Sequence, residues 1–287
     1  MINEQQLPPL IVSDELINER GIMVFDNIHQ MLIYGEPYIA PYITISMCVQ
    51  GWVDAEYDMR PVRFEAGDIA VVHAKHTVCV YRSSDDYHAI QLSISPQIEE
   101  ELKGLLPSVY IDFYHYIWQP AFHLTKDQQT NMIHAMQLLK NISLSKMPER
   151  ELLLKGMLHL MAVLLRNYRI ENGHVDHFTS PRQELFMRFH QAIVEHFRES
   201  REVRFYADLL CLTPKHFATI IKQQTGINAL QWINNYVIIQ AKTLLRNRRQ
   251  LTIQQITHQL GFSDQAAFSR YFKTHTGLSP SEFRAQK

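Results

Sequence analysis

The last third of the chain contains one helical unit twice. ADLLCLTPKHFATIIKQQTG, Ala207–Gly226, returns as THQLGFSDQAAFSRYFKTHTG, Thr257–Gly277. Each copy reads as a short helix, a tight turn, a second helix and a closing Thr-Gly. A two-helix unit of this kind is the smallest device that lays one helix in a DNA major groove. Two of them in succession restrict this end of the chain to an all-helical domain suited to a long DNA site.

Charge supports that reading. Residues 181–287 hold 15 Lys/Arg against 7 Asp/Glu, whereas residues 1–180 hold 13 against 22, beneath a net charge of -1. A basic end joined to an acidic one predicts attraction to phosphate at one end only. The 287 residues suit two domains of about 100–180 residues each. No apolar run approaches the roughly 20 residues that cross a bilayer, and the opening MINEQQLPPL does not read as a secretory signal. Cys48, Cys79 and Cys211 are odd in number and lie in apolar runs. They read as buried thiols of a reducing, cytoplasmic compartment, with no membrane partner.

Short strands separated by turns are expected over residues 20–94: Gly21–Phe25, Ile43–Val49, Trp52–Tyr57, Ile69–His73, Val78–Tyr81 and His88–Ile94. Their spacing is that of an antiparallel barrel or sandwich. Helical periodicity follows in Gln97–Leu106, Asp127–Leu139 and Pro148–Tyr168. The last has Pro148 placed for a first turn and an apolar stripe through Leu152, Met157, Leu160, Ala162 and Leu164. The expected organisation is a first domain at 1–170, a polar linker at 171–182 and a second domain at 183–287. Helices are expected in the second domain at 183–198, 203–210, 214–224, 229–247, 253–260, 264–274 and 280–285. The class is α+β, with an all-α C-terminal domain of seven helices.

In the first unit Thr213 suits a helix cap and Pro214 a first helical position, while Phe217, Ile220 and Ile221 recur on an inward face. In the second, Ser263 or Asp264 is the cap, and Phe268, Tyr271 and Phe272 pack. Thr213 and Ser263 lie 50 positions apart but Phe217 and Phe268 lie 51 apart. This predicts one extra residue at the start of the second recognition helix, and different faces presented to DNA. Ala229–Asn247 is almost continuously apolar and about 28 Å long as a helix. That is a spine near the roughly 34 Å between successive major-groove segments on one DNA face.

Gln pairs with adenine edges and Arg or Lys with guanine, so Lys215, His216, Thr219, Gln265, Ser269 and Arg270 are the expected base readers. Arg246, Arg248, Arg249, Lys273 and Arg284 are placed for phosphate.

IQQITHQLGFSDQAAFSRYFKTHTGLSPSEFR, Ile253–Arg284, resembles the signature of the AraC/XylS family of bacterial transcription regulators, and the likeness extends upstream through Ala241–Leu245 and Ala207–Gly226. It implies two helix-turn-helix units on adjacent major-groove segments of a promoter, with an N-terminal effector or dimerisation domain. RNA polymerase becomes a partner if the protein is an activator. Thr257 stands where the family commonly has Ala, so its buried hydroxyl requires a nearby backbone acceptor. Asn228-Ala229 stands where the second unit has Ser279-Pro280.

Arg60–Val80 resembles the part of a cupin-like barrel where a strand, a Gly-Asp turn and another strand meet. The resemblance implies a barrel interior able to hold a small effector such as a sugar, with Tyr42, Trp52, Tyr57, His73, Tyr81 and His88 as candidate lining. His73-x-x-His76 lacks the His-x-His pair and following Glu of metal-binding cupins. Neither a metal, nor a cofactor, nor an enzymatic activity is expected. The helices at 127–139 and 148–168 have the length and stripe for a homodimer. Two alternatives stay open: a dimeric regulator without a ligand, and a metal-dependent cupin enzyme fused to a DNA-binding domain.

Overall fold

Strand alternation builds the first unit as two facing antiparallel sheets. The computed structural model describes residues 21–29, 32–105, 114–173 and 181–286, and the chain divides into compact units Met1–Asp176 and His177–Lys287. The expected leaderless start (1–20) and most of the expected linker (174–180) lie outside the described residues.

The strands are β1 Ile22–Phe25, β2 Tyr38–Ile39, β3 Ile43–Gln50, β4 Trp52–Tyr57, β5 Arg60–Glu65, β6 Asp68–Val72, β7 Thr77–Ser83, β8 His88–Ile94 and β9 Ala121–His123. One sheet runs β1-β8-β3-β6-β9 and the other β2-β7-β4-β5. Pairing Ile45 with both Leu92 and Val71 sets the register at the centre of the first sheet. Both faces of its strands are covered, the helix side by large apolar residues and the inner side by smaller or polar ones. Ile43, Ile45, Met47, Ile69, Val71, Ile90 and Leu92 pack on the flanking helices, while Cys48, Ala70, Val72, Ala89 and Ala121 join Val53, Tyr57, Phe64 and Val80 of the second sheet.

Those helices are α2 Lys126–Leu144 and α3 Arg150–Glu171, preceded by α1 Pro96–Leu105. A reciprocal box between Thr125 and Gln128 starts α2. Met132, Met136 and Leu139 of α2 and Leu154, Leu158, Met161 and Leu165 of α3 complete the core, each worth about 1.5–3 kcal/mol when fully buried. The phase of α3 differs from the expected stripe: Leu152 is 67% exposed and Leu160 48%. Pro148 precedes the helix, whose cap position is Glu149.

The β4–β5 hairpin was not foreseen. Its two-residue turn is Asp58-Met59, with φ of 50° and 59°, the left-handed pair that a tight hairpin needs and that Asn-Gly normally supplies. Asp58 is fully buried and holds the turn by accepting from the Thr77 amide at 3.0 Å and bonding His76 Nδ1 at 2.6 Å. β5 is an edge strand, where Pro61 is tolerated.

The second unit comprises α4 Pro181–His196, α5 Val203–Leu209, α6 Pro214–Thr225, α7 Ala229–Asn247, α8 Ile253–Gln259, α9 Gln265–Thr276 and α10 Pro280–Ala285. Its first half packs round Phe189, whose ring meets Tyr206 at 5.8 Å and Phe217 at 4.9 Å, both edge-on. Phe268, Phe272 and Phe283 form the second half, with Phe272 at 5.7 and 5.5 Å from its neighbours. Edge-to-face contacts at such distances add directional attraction to burial.

Candidate DNA-binding surface

Short-range chemistry sets both helix-turn-helix frames in the same way. Thr213 accepts from the His216 amide and Pro214 opens α6. Asp264, not Ser263, caps α9, accepting from the Ala267 amide at 2.7 Å. Hydrogen bonds from that amide and from Ser263 hold the exposed Asp264 carboxyl below its usual range. The helices end at Gly226, φ 76°, and Gly277, φ 79°, in left-handed backbone that glycine adopts freely. The preceding threonine ties each end. Thr225 Oγ1 donates to the Ile221 and Ile227 carbonyls at 2.8 and 3.0 Å, and Thr276 Oγ1 to those of Phe272 and Leu278 at 2.8 and 3.1 Å. Asn228 then forms a capping box with Gln231 as Ser279 does with Glu282, so the Asn-Ala departure preserves the function of Ser-Pro.

The register corrects one expectation. Cys211, φ 57°, and Gly261, φ 71°, share a left-handed turn position 50 residues apart. The Leu212 and Phe262 amides donate to Ala207 and Thr257 in the same relation. The caps Thr213 and Asp264 are 51 apart, and α6 and α9 both have 12 residues. The extra residue is therefore in the turn, not in the recognition helix. The two helices share one frame and differ in side chains: Thr219 matches Arg270, Ala218 matches Ser269, and Pro214 matches Gln265. Cys211 is exposed, not buried as expected. Thr257 is fully buried and donates to the Ile253 carbonyl at 2.9 Å, the acceptor it required.

Lys215, His216 and Thr219 are exposed on α6, with Thr219 Oγ1 donating to the Lys215 carbonyl at 2.8 Å. On α9 Gln265, Arg270 and Lys273 are exposed and Ser269 is half-buried. Arg248 and Arg249 are exposed beyond α7. Arg246 is half-buried with its guanidinium 4.8 Å from the Phe283 centroid, and burial lowers its pKa. Arg284 is a correction: its Nη1 donates to the Leu251 carbonyl at 2.8 Å while Nε and Nη2 are buried. It fastens the α7–α8 connection instead of reaching outward to phosphate.

The spine α7 is buried along Trp232, Ile233, Tyr236, Val237, Ile239 and Leu245 and packs against α6, α8, α9 and α10. Trp232 Nε1 bonds Thr225 at 3.2 Å, and Tyr271 of α9 bonds Asn234 at 2.8 Å. A second brace had no sequence signal. The segment between α4 and α5 reaches the second turn: Arg198 Nε donates to the Gln259 carbonyl at 2.9 Å, and Arg201 Nη2 donates to that of Leu260. The Arg201 guanidinium lies over the Phe262 ring, and burial lowers its pKa.

In the first unit, a cavity of about 100 Å³ lies between the two sheets. Of the six candidate lining residues, only Tyr57 borders it. Tyr42 packs on Met23 and Phe25, Trp52 lies under Arg63 and Arg82, and Tyr81 is 49% exposed. The His73 amide bonds Tyr57 Oη, and His88 Nε2 bonds the Asp26 carbonyl. The lining is aromatic in part, with Tyr38, Phe64 and Tyr87 beside Tyr57, and it forms where small side chains of one sheet face large ones of the other.

Residues 206–286 match a helix-turn-helix domain family. Over 96 residues the chain is 42% identical to the arabinose operon regulatory protein of Escherichia coli (strain K12), covering 33% of this chain and 32% of that protein. The chain carries an AraC-type helix-turn-helix domain. It thus spans about a third of the length of the arabinose regulators it matches. A second relative, the HTH-type transcriptional activator RhaS of Escherichia fergusonii, is 26% identical over 208 residues, covering 72% of this chain and 68% of that one. Fold likeness spans more of the chain. The structure of unsaturated fatty acid bound wild-type ToxT from Vibrio cholerae strain SCE256 covers 92% of it and 94% of that chain, with a TM-score of 0.50 and 12% identity.

Proposed function

We propose that this chain is a sequence-specific DNA-binding transcriptional regulator of the AraC/XylS family, controlled by a small molecule in its first unit. The observation that carries this is the matched pair of recognition helices, each of 12 residues in one capped frame. A plain helical bundle needs neither the repeat nor the concentration of cations around it. Lys215, His216, Thr219, Gln265, Ser269 and Arg270 read bases, and Arg248, Arg249 and Lys273 hold phosphate. Arg246 contributes less, being partly withdrawn onto Phe283.

The two-sheet unit is read as a cupin-like barrel, with residues 1–170 as the effector and dimerisation domain, 171–182 as linker and 183–287 as the DNA-binding domain. The cavity between its sheets supports control by an effector over a side-chain-filled scaffold. Exposed Leu152, Leu153 and Leu160 of α3 and Leu138 and Leu144 of α2 support a homodimer. The mechanism is population shift: the effector biases the fraction of protein able to bind productively. The protein acts in the cytoplasm on promoter DNA, with RNA polymerase as partner where it activates, and performs no enzymatic step. In vitro selection of bound genomic fragments, with and without cell-extract metabolites, tests the reading. Enrichment of one motif that metabolites modulate is expected, and retention of random fragments alone overturns it.

A further inference from the structure

The two sheets contribute unlike faces to the cavity. From the first sheet come Thr44, Ser46, Ala70, Gln91 and Ala121; from the second come larger groups, among them Tyr57 and Phe64. Residues on one face of a strand alternate with those on the other, so the apolar β3 and β8 positions that hold the helices leave small or polar neighbours on the inner side. The void follows from that mismatch. Engineered apolar cavities of about 150 Å³ accept benzene. The space here is about 100 Å³ and partly open, so it fits a molecule no larger than one ring or a short branched chain.

The polar groups are few. Gln91 is buried, accepts from Ser46 Oγ at 3.4 Å and donates to Ser93 Oγ at 3.3 Å. An amide has two donor hydrogens and two acceptor lone pairs, so Gln91 keeps one donor and one acceptor beyond these long bonds. Glu56 borders the cavity, but it alternates with inward Ala55 and Tyr57, and its side chain bonds Tyr81. The remaining ionisable neighbours are neutral: burial raises the phenols of Tyr38, Tyr57 and Tyr87 well above their ordinary range. Arg60, beside Tyr57, is engaged by the Ile117 carbonyl and the Trp118 ring.

Building on the effector reading above, we infer that the first unit binds a small, neutral, largely apolar molecule with one hydroxyl or carbonyl, seated on Gln91, Ser46 and Thr44. A monosaccharide brings about five hydroxyls, and most of these lose water without gaining a partner here. A carboxylate finds no cation in the lining and meets the cost of burying an unpaired charge.

The test is isothermal titration of the full chain with benzyl alcohol, L-arabinose and sodium benzoate. Saturable binding of benzyl alcohol alone is expected. Gln91→Leu weakens it roughly five- to thirty-fold through the lost hydrogen bond, and Ala70→Leu abolishes it by filling the space. Ala70→Val serves in place of Ala70→Leu if that variant does not fold, and weakens binding at least about ten-fold. Binding of arabinose or benzoate that the Ala70 variant removes overturns the ligand class while leaving an effector site in place. Binding of benzyl alcohol that neither Ala70 variant changes overturns the assignment to this cavity. Saturable binding of none of the three overturns the class, and the DNA selection with metabolites then judges the effector reading by itself.

Discussion

The guanidinium carbon of Arg201 lies 3.7 Å from the centroid of the Phe262 ring. The cation precedes the first helix-turn-helix unit and the ring belongs to the turn of the second, so the contact couples two readers that α7 already joins. Arg201→Ala removes a cation–π contact and a charged hydrogen bond to the Leu260 carbonyl, at a cost of about 2–3 kcal/mol. A lowered denaturant midpoint is expected, with weaker discrimination between operators differing by one base pair in half-site spacing. Arg201→Lys does not restore it, because an ammonium lacks the planar fork that stacks and donates together. A midpoint within experimental error of the parent removes the brace.

Three glycines share left-handed backbone but not surroundings. A Cβ at Gly261 would lie 2.1 Å from the Arg198 carbonyl oxygen, whereas Gly226 and Gly277 have nothing within 4 Å. Gly226→Ala and Gly277→Ala should each cost about 1–2 kcal/mol, the price of the conformation alone. Gly261→Ala should cost more than about 3 kcal/mol, because backbone must also move. Cys211→Gly, at the matching turn position, should stabilise by up to about 1 kcal/mol. Chemical denaturation of the four variants checks the order.

Arg270→Ala should weaken binding to the selected operator by about 1–3 kcal/mol and relax preference at one base position. Equal loss on random DNA would reassign Arg270 to phosphate. The double variant Arg248→Ala/Arg249→Ala should weaken binding to all sequences and flatten the dependence of log affinity on log salt by about 2. An unaltered slope excludes both from phosphate.

Thiol reactivity should separate the three cysteines. Burial, with the Asp68 charge as the next cause, pushes the Cys48 thiol up to about 12. A raised thiol pKa keeps the unreactive protonated form through neutral and mildly basic pH, and the reactive thiolate appears only as pH approaches that value. Cys48 and Cys79 are buried and Cys211 is exposed. Iodoacetamide at pH 8 should modify Cys211 in the native protein and reach the other two only after denaturation. Mass spectrometry that finds native Cys48 labelled as fast as Cys211 contradicts this.

The amino-acid sequence by itself determined what acts over a few residues. Thr213 and Pro214, Thr225 with Gly226 and Ser279 with Pro280 mark helix ends because each satisfies or ends a backbone ladder within four positions. Local geometry closed one open choice and corrected one expectation: Asp264 takes the cap over Ser263, and the extra residue expected at the start of the recognition helix falls in the turn. The β4–β5 hairpin escaped because Asp58-Met59 adopts positive φ without Gly or Asn, and the buried contacts of Asp58 come from His76 and Thr77, 18 and 19 residues away at the entry to β7.

Tertiary structure decided which surfaces meet. Helix α3 is apolar almost all round, so periodicity admits several phases. The first sheet selects Leu154, Leu158, Met161 and Leu165, and leaves Leu152 and Leu160 in solvent. Arg284 reads as a cation for phosphate, and Arg201 carries no signal at all, until their carbonyl partners, 33 and 59 residues away, are seen. The cavity at Gln91 is a matter of what two sheets fail to fill. Caps and turns are fixed by bonds that close within one helical turn. Packing phase, long-range acceptors and empty space depend on the approach of segments far apart in the chain, which only the assembled fold specifies.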